Sequence, residues 1–299
     1  MEVTGANIAN LGISLRTEFN AGMATVAPMW DRVATKVPST GAANQYNWLN
    51  KWPRLREWIG DRRVKQLSGH SYTLENKKYE ATIEVEITDI EDDQLGIYST
   101  MSNAQGVAAG KWPDETVFSI LPKGFTETGY DGQNFFDDDH PVINHETGAV
   151  ESYSNKQDGA GPAWYLLDTS QSLKPFIWQE RVAPQFNNKT NADDSDTVFM
   201  KDQALFGTRA RGNAGFAFHE MAAASKAELN RVNFEALYTA MTSQVDDEGN
   251  PLAVMPTLLV VPPSLRAAAN ELIKAERRAN GETNTDRDLV EVLVCPYLK

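Results

Sequence analysis

Acids and histidines crowd together at one place in this chain, Phe135-Phe-Asp-Asp-Asp-His140-Pro-Val-Ile-Asn-His145. Imidazole and carboxylate can share Zn²⁺ or another divalent ion, and a carboxylate beside a histidine can move protons. The spacing matches no defined ligand set. HExxH and paired CxxC are absent, and the other two histidines, His70 and His219, stand in unlike contexts. A solvated acidic loop is therefore the first reading of residues 137–145, and a metal-assisted hydrolase the alternative. Gly207-Thr-Arg-Ala-Arg-Gly212-Asn-Ala-Gly215 sets two arginines among glycines, as a phosphate cradle would. It lacks the GxxxxGKS/T pattern and a strand ahead of it, and reads as a hinge or loop. The single cysteine, Cys295, has no histidine near it in sequence, and no GxSxG occurs. No catalytic residue, metal ligand or cofactor is assigned.

A different chemistry sits upstream. Between residues 51 and 78 eight Lys or Arg face three acids, a balance of +5 in a chain of net charge -13. Trp48, Trp52 and Trp58 lie among these cations, with turn residues at Pro53, Gly60 and Gly69. Interleaved aromatics and cations suit single-stranded nucleic acid, which makes residues 54–78 a candidate binding module. They equally suit a protein–protein contact, where Trp and Arg are favoured anchors. The acidity of the whole chain favours the contact, because phosphate binding needs concentrated cations. Trp52, Arg54, Arg56, Trp58, Arg62, Arg63 and Lys65 are the candidate subunit contacts, with the chain's own acidic clusters as partners.

The bulk composition fits this. At 299 residues and 41% hydrophobic content the chain suits one large or two ordinary folded domains. No run approaches the roughly 18 apolar residues of a membrane helix, and the start Met1-Glu2-Val3 has no signal core, so neither membrane insertion nor secretion is expected. One cysteine excludes an internal disulfide framework.

The elements that must position these residues are legible in part. Ile8, Leu11, Leu15, Phe19 and Met23 share one helical face. Tyr79, Ala81, Ile83, Val85 and Ile87 alternate with polar residues, a strand signal over nine positions. Thr88 and Glu91 match a capping box, predicting a helix over 88–121 with Ile90, Ile97, Met101, Ala104, Ala108 and Trp112 inward and a kink or restart at Pro113. Residues 124–161 read as surface loop, 163–167 and 173–178 as strands, and 187–196 as loop. A helix is expected over 219–241, with Leu229, Val232, Ala236 and Ala240 in register beside Phe234, Leu237 and Met241. Residues 257–261 are sized for a buried strand, Ser264 for the cap of a helix to about residue 278, and 289–294 for a closing strand.

Several runs together resemble the major head (capsid) subunit of Mu-like bacteriophages and prophages. They are Arg16-Thr-Glu-Phe-Asn-Ala-Gly22, Val37-Pro-Ser-Thr40, Tyr46-Asn-Trp-Leu49, Leu55-Arg-Glu-Trp58 and Ile90-Glu-Asp-Asp-Gln-Leu-Gly-Ile-Tyr98. Phe136-Asp-Asp-Asp-His-Pro141, Trp164-Tyr-Leu-Leu-Asp168, Arg211-Gly-Asn-Ala-Gly215 and Pro256-Thr-Leu-Leu-Val-Val-Pro-Pro-Ser-Leu265 continue the series in order. The resemblance implies an α+β chain with the Hong Kong 97-type phage capsid fold. An N-terminal arm would span 1–50, an extended hairpin (the E-loop) 51–87, and a peripheral domain 88–204 with its spine helix at 88–121. An axial domain would span 205–288, and a C-terminal strand, 289–299, would return to the peripheral domain.

The function so implied is structural: hexamers and pentamers closing an icosahedral shell around phage double-stranded DNA. The implied partners are further copies of the chain, a separate scaffolding protein, a portal and a possible decoration protein. Packaged DNA would lie nearby without sequence-specific binding. The implied locations are the virion and, during assembly, the host cytoplasm. The fold's founding member crosslinks a lysine to an asparagine, but no motif here marks Lys65, Lys77 or Lys78 for that role, and no crosslink is expected.

Overall fold

The structure is a computed structural model that describes residues 5–47, 72–92, 96–143, 149–190, 195–245, 250–278 and 280–299. In chain order the elements are α1 (Gly5–Ala24), β1 (Ala34–Pro38), β2 (Ala43–Tyr46), β3 (Tyr72–Glu75), β4 (Lys77–Glu86), α2 (Ile87–Asp92) and α3 (Ile97–Ile120). Then come β5 (His140–Ile143), β6 (Val150–Tyr153), β7 (Lys156–Gln157), β8 (Trp164–Leu167), β9 (Phe176–Lys189), α4 (Asp196–Lys201) and β10 (Gln203–Phe216). The last are β11 (Ala222–Ser225), α5 (Arg231–Thr242), β12 (Leu258–Val261), α6 (Arg266–Ile273) and β13 (Glu291–Val294).

The first sheet runs β1-β9-β10-β4, with β10 antiparallel to both neighbours and β1 parallel to β9. The alternation read in β4 holds in part, with Val85 buried, Tyr79 and Ile83 half-buried and Glu80, Glu84 and Glu86 exposed, whereas Ala81 is exposed and Ile87 already opens α2. Helix α1 lays Leu15 and Phe19 against Val85, Phe186 and Phe206 of that sheet. The expected helix over 88–121 is divided. Thr88 lies inside the short α2 rather than capping it, and α3 starts after Gly96, whose φ of 66° is a left-handed conformation that an α-helix cannot continue through. The inward face differs as well. Ile97 and Met101 are exposed, whereas Ser102 and Gly106 are buried, because α1 crosses α3 too closely for larger side chains. Helix α3 runs on through Pro113 without a restart, and Asp114 accepts the Met29 and Trp30 backbone N–H groups at 2.9 and 2.7 Å.

The second sheet runs β13-β12-β8-β11-β7. Strands β8, β11 and β12 are buried on both faces, which explains their unbroken apolar runs. Tyr165, Leu167, Leu258 and Val260 face the core that also holds Trp112, Phe118, Phe176 and Trp178. Trp164, Leu166, Leu259 and Val261 face Phe234, Leu237, Met241, Ala269 and Ile273 of α5 and α6.

Four further expectations are corrected. Residues 222–225 are strand, not helix, because Ala-Ala-Ala-Ser is small enough to fit between two packed layers, and that tertiary fit outweighs alanine's helical preference. Helix α5 begins only at Arg231, and Val232 is exposed. The glycine-rich run at 207–215 lies within the fourteen-residue strand β10, where a Cβ on Gly212 would meet the Gln179 carbonyl at 2.7 Å and the Trp112 ring at 3.1 Å. Ser264 sits in a 3-10 turn ahead of α6 and caps nothing through its side chain, and α6 buries Ala269 and Ile273 and ends at Ile273 rather than near residue 278. Residues 124–161 are not plain loop either, since they hold β5, β6 and β7 and bury Phe135 and Phe136 completely.

Candidate functional site

Strands β2 and β3 pair antiparallel and end with Tyr46 opposite Tyr72, so the described residues flanking 48–71 lie side by side. That pairing is firmly held. The Tyr46 hydroxyl donates to Gln179 Oε1 at 2.7 Å, and Gln179 Nε2 donates to the Leu74 carbonyl at 3.1 Å and Asn76 Oδ1 at 2.9 Å. The Phe216 N–H donates to the Tyr72 hydroxyl at 3.1 Å, and burial pushes that phenol up to about 12. Asn76 in turn donates to Ser39 Oγ and the Gly41 carbonyl, at 2.8 and 3.0 Å. A polar knot therefore ties the base of the basic segment to β1, β9 and β10. The candidate contacts Trp52, Arg54, Arg56, Trp58, Arg62, Arg63 and Lys65 all lie in 48–71, outside the described residues.

The acid–histidine run divides by position. His145 lies outside the described residues. Asp137 accepts the N–H groups of Asn134 and Asp138, and the exposed Asp138 pairs with Lys156 at 3.0 Å, so these acids shape a turn. Among the described acids and histidines of the run, His140 alone enters the interior, at 0% exposure. There it meets two residues not grouped with it by sequence, Asp131 and His219; these three bring one ligand atom each within 4.8 Å of one another.

His140 Nδ1 lies 2.7 Å from Asp131 Oδ2, and its Nε2 lies 3.2 Å from Asn155 Oδ1. Asn155 is oriented unambiguously. Its Nδ2 donates to the Phe135 and His219 carbonyls, and its Oδ1 accepts the Asp137 N–H. Both nitrogens of His140 thus face oxygen acceptors. His219 stacks on His140 with centroids 4.0 Å apart and planes 3° from parallel. Its Nε2 lies 3.4 Å from the same Asp131 oxygen, so with the Nε2 proton directed there Nδ1 accepts from the Tyr153 hydroxyl, the pattern of a neutral ring.

Burial lowers the proton affinity of His219, and the neighbouring His140 adds to this, against the pull of Glu220 and Asp131. Burial alone would raise the Asp131 carboxyl, but the hydrogen bond from His140 and the two imidazoles bring it below the ordinary carboxylate range. Lone pairs in two parallel stacked planes do not converge on one point, so this arrangement fits shared protons better than an ion held by both rings. Sequence spacing alone could not group these residues, since His219 follows His140 by half the second sheet; the burial of a histidine after an apolar strand was the one available hint.

Comparison with known proteins bears on the whole chain. The family model described as Mu-like prophage major head subunit gpT matches residues 8–298. The chain is 39% identical over 306 residues to the major capsid protein of Escherichia phage Mu, covering 100% of both. It superposes on the chain of the bacteriophage JBD30 procapsid with a TM-score of 0.87 at 47% identity, covering 99% of this chain and 100% of that one. It also superposes on the JBD30 capsid decorated with minor capsid protein trimers, with a TM-score of 0.78 at 36% identity over 92% of this chain and 93% of that one. These relatives are structural shell proteins, not enzymes, which sets aside the hydrolase alternative at residues 137–145. Matched from end to end in sequence and in structure, the chain belongs to the Mu-like prophage major head subunit gpT family and has the Hong Kong 97-type capsid fold.

Proposed function

We propose that this phage head subunit assembles into hexamers and pentamers that close an icosahedral shell around double-stranded DNA, with residues 48–71 reaching a neighbouring copy. The observation that carries the proposal is the tied base of that segment: β2 and β3 hold the described residues flanking it side by side, and its sequence is basic in a chain of net charge -13. Lysines and arginines there meet carboxylates on the next subunit, such as those lining the outer face of β4, and Trp52 and Trp58 supply apolar anchors.

In this reading 1–50 is the N-terminal arm, 51–87 the E-loop and 88–204 the peripheral domain. Residues 205–288 form the axial domain, whose sheet borrows β7 and β8 from the preceding segment. A separate scaffolding protein and a portal act during assembly in the host cytoplasm, and decoration trimers like those on the JBD30 capsid are a further partner class. The acidic chain repels packaged DNA rather than binding it.

Electron microscopy of the chain co-expressed with its scaffolding protein tests the reading. Closed shells are expected, and the double substitution Arg62→Glu with Arg63→Glu prevents them while leaving a folded subunit. Normal shells from that double variant would remove the segment from the contact, and a soluble monomer with metal-dependent turnover would overturn the shell function itself.

A further inference from the structure

Two imidazoles stacked face to face on one carboxylate form an arrangement that responds to protons. The elements it joins are distant in sequence: Asp131 precedes β5, His140 opens β5, Tyr153 ends β6, and His219 leads into β11. Ring stacking extends the join, with Tyr130 on the outer side of His219 at 4.8 Å and Tyr153 on His140 at 5.2 Å. Asn155 is a further tie, donating to the Phe135 and His219 carbonyls while its own carbonyl accepts the Ala224 N–H.

We propose that Asp131, His140 and His219 form a proton-operated clasp: with His219 neutral it holds the β5–β6 hairpin against the segment entering β11, and protonation of His219 releases the hairpin.

The charge inventory around the stack sets the direction. Facing it are Asp131 from the loop before β5, Tyr153 from β6, Tyr130, and Glu220 beside His219, whose Oε2 lies 3.8 Å from His219 Nδ1. Glu220 Oε1 is already engaged by the Tyr130 hydroxyl at 2.6 Å. Lys156, the nearby cation, is turned outward to Asp138 and Asp158. Protonating His219 changes three things together. The Tyr153 hydroxyl loses its acceptor, a charged ring is pressed on the His140 ring with centroids 4.0 Å apart, and that charge enters the interior where the partly buried Asp131 carboxylate already serves His140.

The sign follows from linkage. His219 binds its proton less readily folded than unfolded, so folding carries no penalty from it above the ordinary value of 6.5. The penalty grows as pH falls below that value and is complete below the folded one. Asp131, held low, keeps its charge throughout this window.

The clasp acts within one chain, so its test needs no shell. Histidine C2–H exchange and backbone amide exchange are followed by mass spectrometry on the full chain, between about pH 7.5 and about pH 5. Half-titration of His219 is expected below 6.5. Amides of β5 and β6 are expected to lose about tenfold protection at the acid end, while those of β9 and β10 keep theirs. The variant His219→Gln should show no such loss. His219 titrating at or above 6.5, unchanged protection of β5 and β6 once it is charged, or equal loss across β9 and β10 would each overturn the proposal. If His219→Gln does not fold, the wild-type measurements decide alone.

Discussion

Gly106 of α3 lies directly beneath the Phe19 carbonyl of α1, so close that a Cβ at Gly106 would overlap that oxygen. Gly22 stands in the same relation to the Asn103 carbonyl, and Ser102 Oγ donates to the Leu15 carbonyl at 2.7 Å. Small residues at three levels let the arm helix and the long helix approach backbone to backbone.

The first prediction concerns that contact. Gly106→Ala gains about 1 kcal/mol of helix propensity, but forcing two backbones apart costs about 1–3 kcal/mol, and a carbonyl cannot rotate away as a side chain can. Net destabilisation is expected in urea unfolding. A variant more stable than the parent would show that α1 is not held against α3 in solution.

Asp114 ties the turn after α1 to the middle of α3 through the Met29 and Trp30 N–H groups. Asp114→Ala strands two backbone donors and is expected to cost about 1–3 kcal/mol. Limited proteolysis should then cut near residue 29 sooner than in the parent. Unchanged cleavage kinetics would argue that α1 and its turn are secured elsewhere.

Gln179 is fully buried and makes three side-chain hydrogen bonds at the base of β2 and β3. Gln179→Met keeps the volume but leaves Tyr46, Leu74 and Asn76 without those partners. A loss of about 2 kcal/mol is expected, together with faster amide exchange in β2 and β3 than in β9. Equal exchange in the two regions would contradict the role given to this knot.

Cys295 is buried in the core, and burial pushes its thiol up to about 11. Its thiolate is then scarce at neutral pH, and the folded chain should react with a thiol reagent only at the rate at which it opens. Full reaction is expected in denaturant, and prompt reaction of the native chain would place the thiol at the surface instead.

Periodic patterns survived the passage from sequence to structure because their cause is local. The alternation through Tyr79, Ile83 and Val85 and the face holding Leu15 and Phe19 each reflect one element burying one side, and both are found where the pattern puts them. The family was legible as well, since its motifs are spread along the whole chain. Two strands built from small residues were misread. The Ala222–Ser225 strand and the glycine-rich strand β10 carry small residues because neighbouring layers and tryptophan rings leave no more space, and no local period records that.

By itself the sequence determined the shell-protein family, the helix of the arm, the edge strand β4 and the basic character of residues 51–78. Tertiary structure alone decided that His140 belongs with Asp131 and His219 rather than with its acidic neighbours. The physical reason is burial. A hydrated acid is satisfied by water wherever it lies, whereas a buried imidazole must find its partners in whichever strands the fold brings beside it.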